Sequence, residues 1–277
     1  MSQAGSDSQT GGEGEYPSQW TRPPMIESAP LRWGLWTGAL VYLVVAVWMI
    51  DVDLARVMEG VERSADFFGG LLAPDFTSRW AIIRRGLVDS VVMTVVSTAA
   101  GVLLSIPIGL GAARNLAFKP VYLFCRGLLA VARAFHELIY AVIFVALFGY
   151  GPFAGVVTLV VATIGFLGKL IAEDIESIDP APLEATRTTG ASWGQRVIYA
   201  IVPQIAPRMA GLAMYRLDIN FRASAIIGMV GAGGIGAALN TAFDRRDFGD
   251  AAAILIIIIV AVLAMEYISS YIREKYV

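Results

Sequence analysis

Residues 251–271 read AAAILIIIIVAVLAMEYISSY, and apolar blocks of similar length recur at 34–50, 87–113, 121–148, 153–172 and 209–230. A run of about 20 such residues matches the hydrocarbon thickness of a bilayer, where only a helix or a closed barrel satisfies its own backbone. The blocks are continuous rather than alternating, so helices are expected: an all-α integral membrane protein with about six transmembrane helices. A content of 57% hydrophobic against 16% charged residues agrees with that class. The net charge of -2 argues against nucleic acid as a partner. A single cysteine, Cys125, and a single histidine, His136, exclude an intramolecular disulfide and a Cys- or His-rich metal site. No Ser/His/Asp arrangement can be assembled, so the chain reads as no enzyme.

The chain divides into three regions. Residues 1–33 are rich in Gly, Ser, Gln, Glu and Pro, the composition of a disordered tail, and are too long and acidic for a signal peptide. Residues 34–85 hold a first span anchored by Trp33, Trp36 and Trp48, then an amphipathic connection with Leu54, Val57, Met58, Val61 and Phe68 on one face. Residues 86–277 form a core of five helices interrupted by a polar segment at 173–207. The block at 121–148 exceeds one perpendicular crossing and carries Arg126, Arg133 and Glu137, so its first half is expected at an interface or in the interior.

Polar residues inside the spans mark candidate sites. In the second block Ser90, Thr94, Ser97, Thr98, Gly101 and Ser105 fall on one stripe, either a packing seam of small residues or one wall of a polar pathway through Ser97 and Thr98. In the fifth block YRLDINFRASAIIG places Arg216, Asp218, Asn220 and Arg222 in an apolar helix. A charge at the bilayer centre costs about 2.5 to 3.5 kcal/mol on insertion scales, so these groups need a partner, a cavity or a dimer axis. Asp218 and Arg222 can pair four residues apart, and Arg216 and Asn220 form a second row. Without a further carboxylate the row is net positive and suits an anion such as a phosphonate or phosphate; the other reading is a salt-bridge network that locks helices together. Gly231, Gly233, Gly234 and Gly236, in GAGGIG, match a dinucleotide-binding pattern in letters only, because the strand and βαβ unit it requires are missing. They are expected to form a tight turn at the outer end of the pathway, with exposed amides able to meet an anion, or to serve flexibility or close packing.

Residues 184–203, EATRTTGASWGQRVIYAIVP, are the long polar insert between spans. Pro180 and Pro182 are expected to end the preceding helix. A short helix over 183–191, a turn at Gly190 and a second helix capped by Ser192, with Trp193, Val197 and Ile201 on one face, then give a projecting helix-turn-helix. Glu184, Ala185, Gly190, Val202 and Pro203 resemble the hallmark loop of the permease subunits of ABC importers, with Thr186 in place of a second Ala and Ala200 in place of Ile. RAFHELIYAVIF, from Arg133, resembles a further stretch of these permeases in which Pro usually occupies the place of His136, a departure that removes an expected kink. The run 215–236 looks like the phosphonate-type permeases, and its glycine part is shared with the methionine type.

This resemblance covers roughly residues 85–277. It implies a type I permease core in which Glu184, Ala185, Gly190, Ala191, Ser192 and Pro203 form a cytoplasmic coupling helix that docks on an ATPase. It further implies a homodimer in the inner membrane of a prokaryote, two cytoplasmic ATP-binding subunits that hold ATP and Mg, and an extracytoplasmic substrate-binding protein. The chain itself is expected to bind no cofactor. Six spans with a cytoplasmic loop at Glu184 put both termini in the cytoplasm. The function implied is ATP-driven import of phosphonate, phosphate or a related small oxyanion; an ion-coupled secondary transporter or channel, or a permease for another solute such as methionine, are the alternatives.

Overall fold

The computed structural model describes residues 28–49 and 54–276, and among these the chain is entirely helical apart from its connecting turns. Most of the segment expected as a disordered tail, residues 1–27, lies outside the described residues. The chain divides into two units, residues 1–62 and 63–277. The first holds α1 (Ala29–Met49), an apolar helix with no buried residue, and the start of α2 (Leu54–Leu71), whose Val57, Met58 and Val61 are exposed as an amphipathic face. Among the described residues, five helices are long and apolar enough to cross a bilayer, or up to six with one bent pair counted as a single span.

In the second unit the packing centres on α3 (Trp80–Ala112) and α6 (Pro152–Glu176). The small-residue stripe explains why they pack closely. A β-carbon on Gly101 would strike the Thr163 side chain, and one on Gly109 would strike Ile171. Thr94, Ser97 and Ser105 return their hydroxyls to carbonyls three or four residues back, so burying them strands no polar group. α3 starts at Trp80 rather than near residue 87 and continues past Pro107; 33 residues make about 50 Å, longer than the hydrocarbon slab.

The long third block is two helices, α4 (Lys119–Ala134) and α5 (Glu137–Phe148), bent by 94°. The expectation that His136 in place of Pro removes a kink is thereby corrected. Phe135 and His136 both adopt extended backbone, and His136 caps α5 by accepting the Leu138 N–H at Nδ1, as an Asn or Asp would. The Tyr140 hydroxyl donates to the Val131 carbonyl and so satisfies part of the end of α4.

After α6 come α7 (Pro180–Thr188) and α8 (Trp193–Arg196), a π-helical turn (Val197–Ile201) and α9 (Val202–Ile227). A kinked turn (Gly228–Ala232), with Gly231 at φ +99°, leads to α10 (Gly234–Asp244) and α11 (Phe248–Tyr276). Ile171, Ile175, Val197, Ile201 and Ile205 form one core cluster where α6 meets the start of α9. Met93, Ala141, Leu159, Ala223 and Ile227 form another across α3, α5, α6 and α9.

Between α2 and α3, Asp75 folds the loop onto itself. Its Oδ1 accepts from the Thr77 N–H at 2.8 Å, the Thr77 hydroxyl at 2.7 Å and the Ser78 N–H at 3.1 Å. These donors hold the Asp75 carboxyl well below the usual carboxylate range, the Ser78 and Thr77 side chains foremost. The loop is fastened to the start of α11 by Asp75 N–H to the Gly249 carbonyl at 3.1 Å and by Arg79 to Asp250 at 2.9 Å.

Candidate functional site

The polar insert folds into the projecting helix-turn-helix that its spacing implies. α6 has already ended at Glu176, and Pro180 opens α7 as its first residue, so the prolines start the next helix rather than stop the last. The Asp179 side chain caps α7 by accepting the Ala181 N–H at 3.0 Å. No residue of α7 is buried, and Glu184 and Ala185 lie exposed at its centre. Gly190 turns the chain with φ +76°, a conformation in which a β-carbon is strained. Ala191, next to it, is half-buried. Ser192 and Gln195 form a reciprocal capping box, with Ser192 N–H to Gln195 Oε1 at 2.8 Å. Val197 and Ile201 turn inward, whereas Trp193 stays 51% exposed and does not share their buried face. Pro203 lies exposed in the first turn of α9.

Further along α9 the charged row is buried. Arg216 and Asp218 are 4% and 7% exposed, and Asn220 is fully enclosed. Arg216 donates from Nη2 to Glu137 Oε1 at 2.8 Å and from Nε to Thr163 Oγ1 at 3.1 Å, with its guanidinium carbon 5.6 Å from the centre of the Phe166 ring. The Asn220 amide donates to Thr98 at 2.8 Å and to Thr163 at 3.0 Å. One polar node thus joins α3, α5, α6 and α9, and Arg216 meets Asn220 through Thr163 rather than directly. Ser97, beside Thr98 in sequence, is buried and spends its hydroxyl on the Thr94 carbonyl. Arg222 pairs with Asp218 as the spacing requires, while Asp218 Oδ1 has no hydrogen-bond partner among the described residues.

Glu137 is the residue that the charged row alone does not reveal. It stands 79 positions from Arg216, in the first turn of α5, where the helix dipole also favours a carboxylate. With Glu137 and Asp218 against Arg216 and Arg222 the cluster is balanced, so the net positive site expected in the absence of another carboxylate is not what forms. The sequence signal was available: an acid at the edge of an apolar block must find a cation. Arg222 keeps about half of its side chain exposed and, with His136 and Glu137, lines a cleft of about 270 Å³ whose other wall includes Ile219, Ala223 and Ile226.

The glycine segment is packed rather than backbone-exposed. Gly231, Gly233 and Gly234 have positive φ, and the Gly231 carbonyl accepts the Gly151 N–H at 3.0 Å. The Ile235 N–H donates to Ser90 Oγ at 2.9 Å. A β-carbon on Gly236 would collide with the carbonyl oxygen of Ala225. From Gly234 the chain continues as the helix α10, so Gly234 and Gly236 belong to a helix rather than to the tight turn expected there.

The model of a family described as "binding-protein-dependent transport system inner membrane component" matches residues 105–274. The chain is similar to the phosphate-import permease protein PhnE of Mycolicibacterium smegmatis, 40% identical over 248 residues; the match takes in 89% of this chain and 46% of that protein, so the chain spans about half of its length. It is 38% identical over 261 residues to the phosphite transport system permease protein PtxC of Stutzerimonas stutzeri, covering 92% of this chain and 94% of PtxC. Among solved structures, the inward-facing MetNI methionine ABC transporter aligns with a TM-score of 0.62 at 21% identity, over 73% of this chain and 99% of that one. An amino acid ABC transporter with histidines aligns with a TM-score of 0.60 at 22% identity, over 73% and 98%. At those identities the structural likeness establishes the fold.

Proposed function

The chain belongs to the family of binding-protein-dependent transport system inner membrane components, and from that premise we propose that it is the permease subunit of an ATP-driven importer for a small phosphorus oxyanion. The observation that carries the reading is the α7–α8 segment. It stands between two membrane-spanning helices with no buried residue in α7 or α8, and Trp193 and Tyr199 are left largely uncovered. A surface of that kind needs a partner to cover it, and a cytoplasmic ATPase groove is the partner that fits the family.

In this account two copies of the chain pair, and two ATP-binding subunits hold ATP and Mg while this chain holds no cofactor. An extracytoplasmic binding protein delivers the solute, and both termini lie in the cytoplasm. Closure of the ATPase dimer moves the α7–α8 segment as a rigid body and switches access along α9. The relatives named for phosphate and phosphite support an oxyanion as solute. So does the half-exposed guanidinium of Arg222 at the cleft, which can meet an oxyanion through charge-assisted hydrogen bonds. Gly231, Gly233, Gly234 and Gly236 act here as the packed outer end of the pathway.

The test is ATP hydrolysis by the complex in lipid, with a binding protein charged with inorganic phosphate, phosphite or methylphosphonate. Ligand-stimulated hydrolysis is expected, and Gly190→Val should lower it about tenfold or more while the chain remains inserted, because a β-branched residue opposes the turn at φ +76°. Solute uptake by this chain alone, driven by a proton or sodium gradient, would replace the reading with a secondary transporter.

A further inference from the structure

We propose that Asp174, Asp179, Gln204 and Arg208 form a neck at the base of the α7–α8 segment that transmits its movement into α9; the proposal rests on the importer reading above. The chain leaves α6 at Glu176 and re-enters the bundle as α9 at Val202. Two ties close the gap between these points. Arg208 Nη1 meets Asp174 Oδ1 at 3.0 Å, and the Asp179 N–H donates to Gln204 Oε1 at 3.0 Å. The amide of Gln204 in turn donates to the Ala200 carbonyl at 2.7 Å, inside the π-helical turn.

On the α6 side the neck is anchored. Glu176 accepts from the Arg126 guanidinium at 2.8 Å and from the Arg114 N–H at 2.7 Å, and Asn115 donates to the Ile175 carbonyl at 2.8 Å. The last turn of α6 is therefore fixed to α4 and to the turn after α3. On the α9 side the backbone is weaker, because Pro207 within the helix offers no N–H. Beside the apolar cluster of Ile171, Ile175, Ile201 and Ile205, the polar ties of Arg208 and Gln204 join the start of α9 to the end of α6 and its exit. From Arg208 to Arg216 is eight residues of helix, about 12 Å, so a displacement at the neck reaches the Arg216–Glu137 pair through a rigid element.

The placement of Asp174 is costly for stability. It is 5% exposed, it lies near the negative end of the α6 dipole, and its Oδ2 has no hydrogen-bond partner among the described residues. Arg208 is the opposite case, with a side chain 65% exposed that water can satisfy. An acid kept in such a position, tied to an arginine that does not need it, marks a coupling contact rather than a packing contact. Asp174 and Arg208 act as positioning residues, since neither touches ATP or solute.

The asymmetry supplies the test, made on the full complex in lipid with a binding protein charged with inorganic phosphate. Asp174→Asn should co-purify with the ATPase as the wild type does, yet lose about tenfold in stimulated hydrolysis. Arg208→Gln should lower assembly as well, because it leaves a buried carboxylate without its cation. The Asp174→Asn/Arg208→Gln double variant should regain assembly and remain uncoupled. Recovery of both assembly and stimulation in the double variant, or wild-type stimulation in Asp174→Asn, would reduce the neck to a structural tie and overturn the proposal. A wild-type chain that binds no ATPase would instead bring down the importer reading, and the two failures are separate.

Discussion

At the scale of single residues, the charges in α9 are governed by which carboxylate each arginine serves. Asp218 is almost enclosed and has no hydrogen-bond partner for Oδ1 among the described residues, so its charge depends on Arg222. Arg222→Ala is expected to destabilise the protein by about 3 kcal/mol, since it strands a buried charge. Asp218→Asn should cost less than about 1 kcal/mol, because the arginine it releases is about half exposed at the cleft. Thermal unfolding of both variants in detergent separates these values; equal losses would mean that Asp218 has a cation elsewhere. The arginines, the acid and the amide of this row were legible in the sequence as a set, because charged groups in a block of bilayer length stand out. That Glu137 needs a cation was legible, but not which one, because 79 residues separate it from Arg216 and no periodic pattern reaches that far.

At the scale of elements, the sequence marked the apolar blocks well and their internal breaks poorly. The 94° break before α5 has no proline to announce it; it depends on two extended residues and on a histidine that caps as an Asn or Asp does. α10 was hidden because its glycines read as a turn, although they are required by contacts with Pro152, Ser90 and Ala225 that only the fold supplies. The helix-turn-helix after α6 was readable because its signals are local: a proline at the first position, a glycine at the turn and a Ser-x-x-Gln capping box. The loop before α3 belongs to the same class of local devices, and its behaviour with pH has a definite sign. Asp75 titrates below its unfolded value of 3.8, so its donors stabilise the folded loop fully above about pH 4, and that stabilisation is lost as pH falls below that range. Asp75→Asn is expected to lower the unfolding temperature at pH 7, with the difference from wild type shrinking steadily below about pH 4. A difference unchanged down to about pH 3 would show that the carboxylate contributes nothing to the loop.

At the scale of the whole molecule, the six-span expectation is met by five long apolar helices and one broken pair, and the order of α6, the projecting segment and α9 fixes what lies at opposite ends of the bundle. Thr189 is in the projecting turn and Arg245 directly follows α10, both exposed. With Cys125 replaced by Ala, a cysteine at position 189 should react with a membrane-impermeant maleimide only from the cytoplasmic side, and one at position 245 only from the other; labelling of both from one side would overturn the proposed orientation. The separation of Glu137 from Arg216 also has a consequence for how the chain is made. Synthesis runs at about 5 to 20 residues per second, so Glu137 emerges from the ribosome about 4 to 16 seconds before its cation exists. During that interval the early spans wait with an unpaired acid, and α9 brings its own charges into the membrane late. Assembly of this permease is therefore a matter of timing, because the acid carried by its first half meets its cation only when the second half arrives.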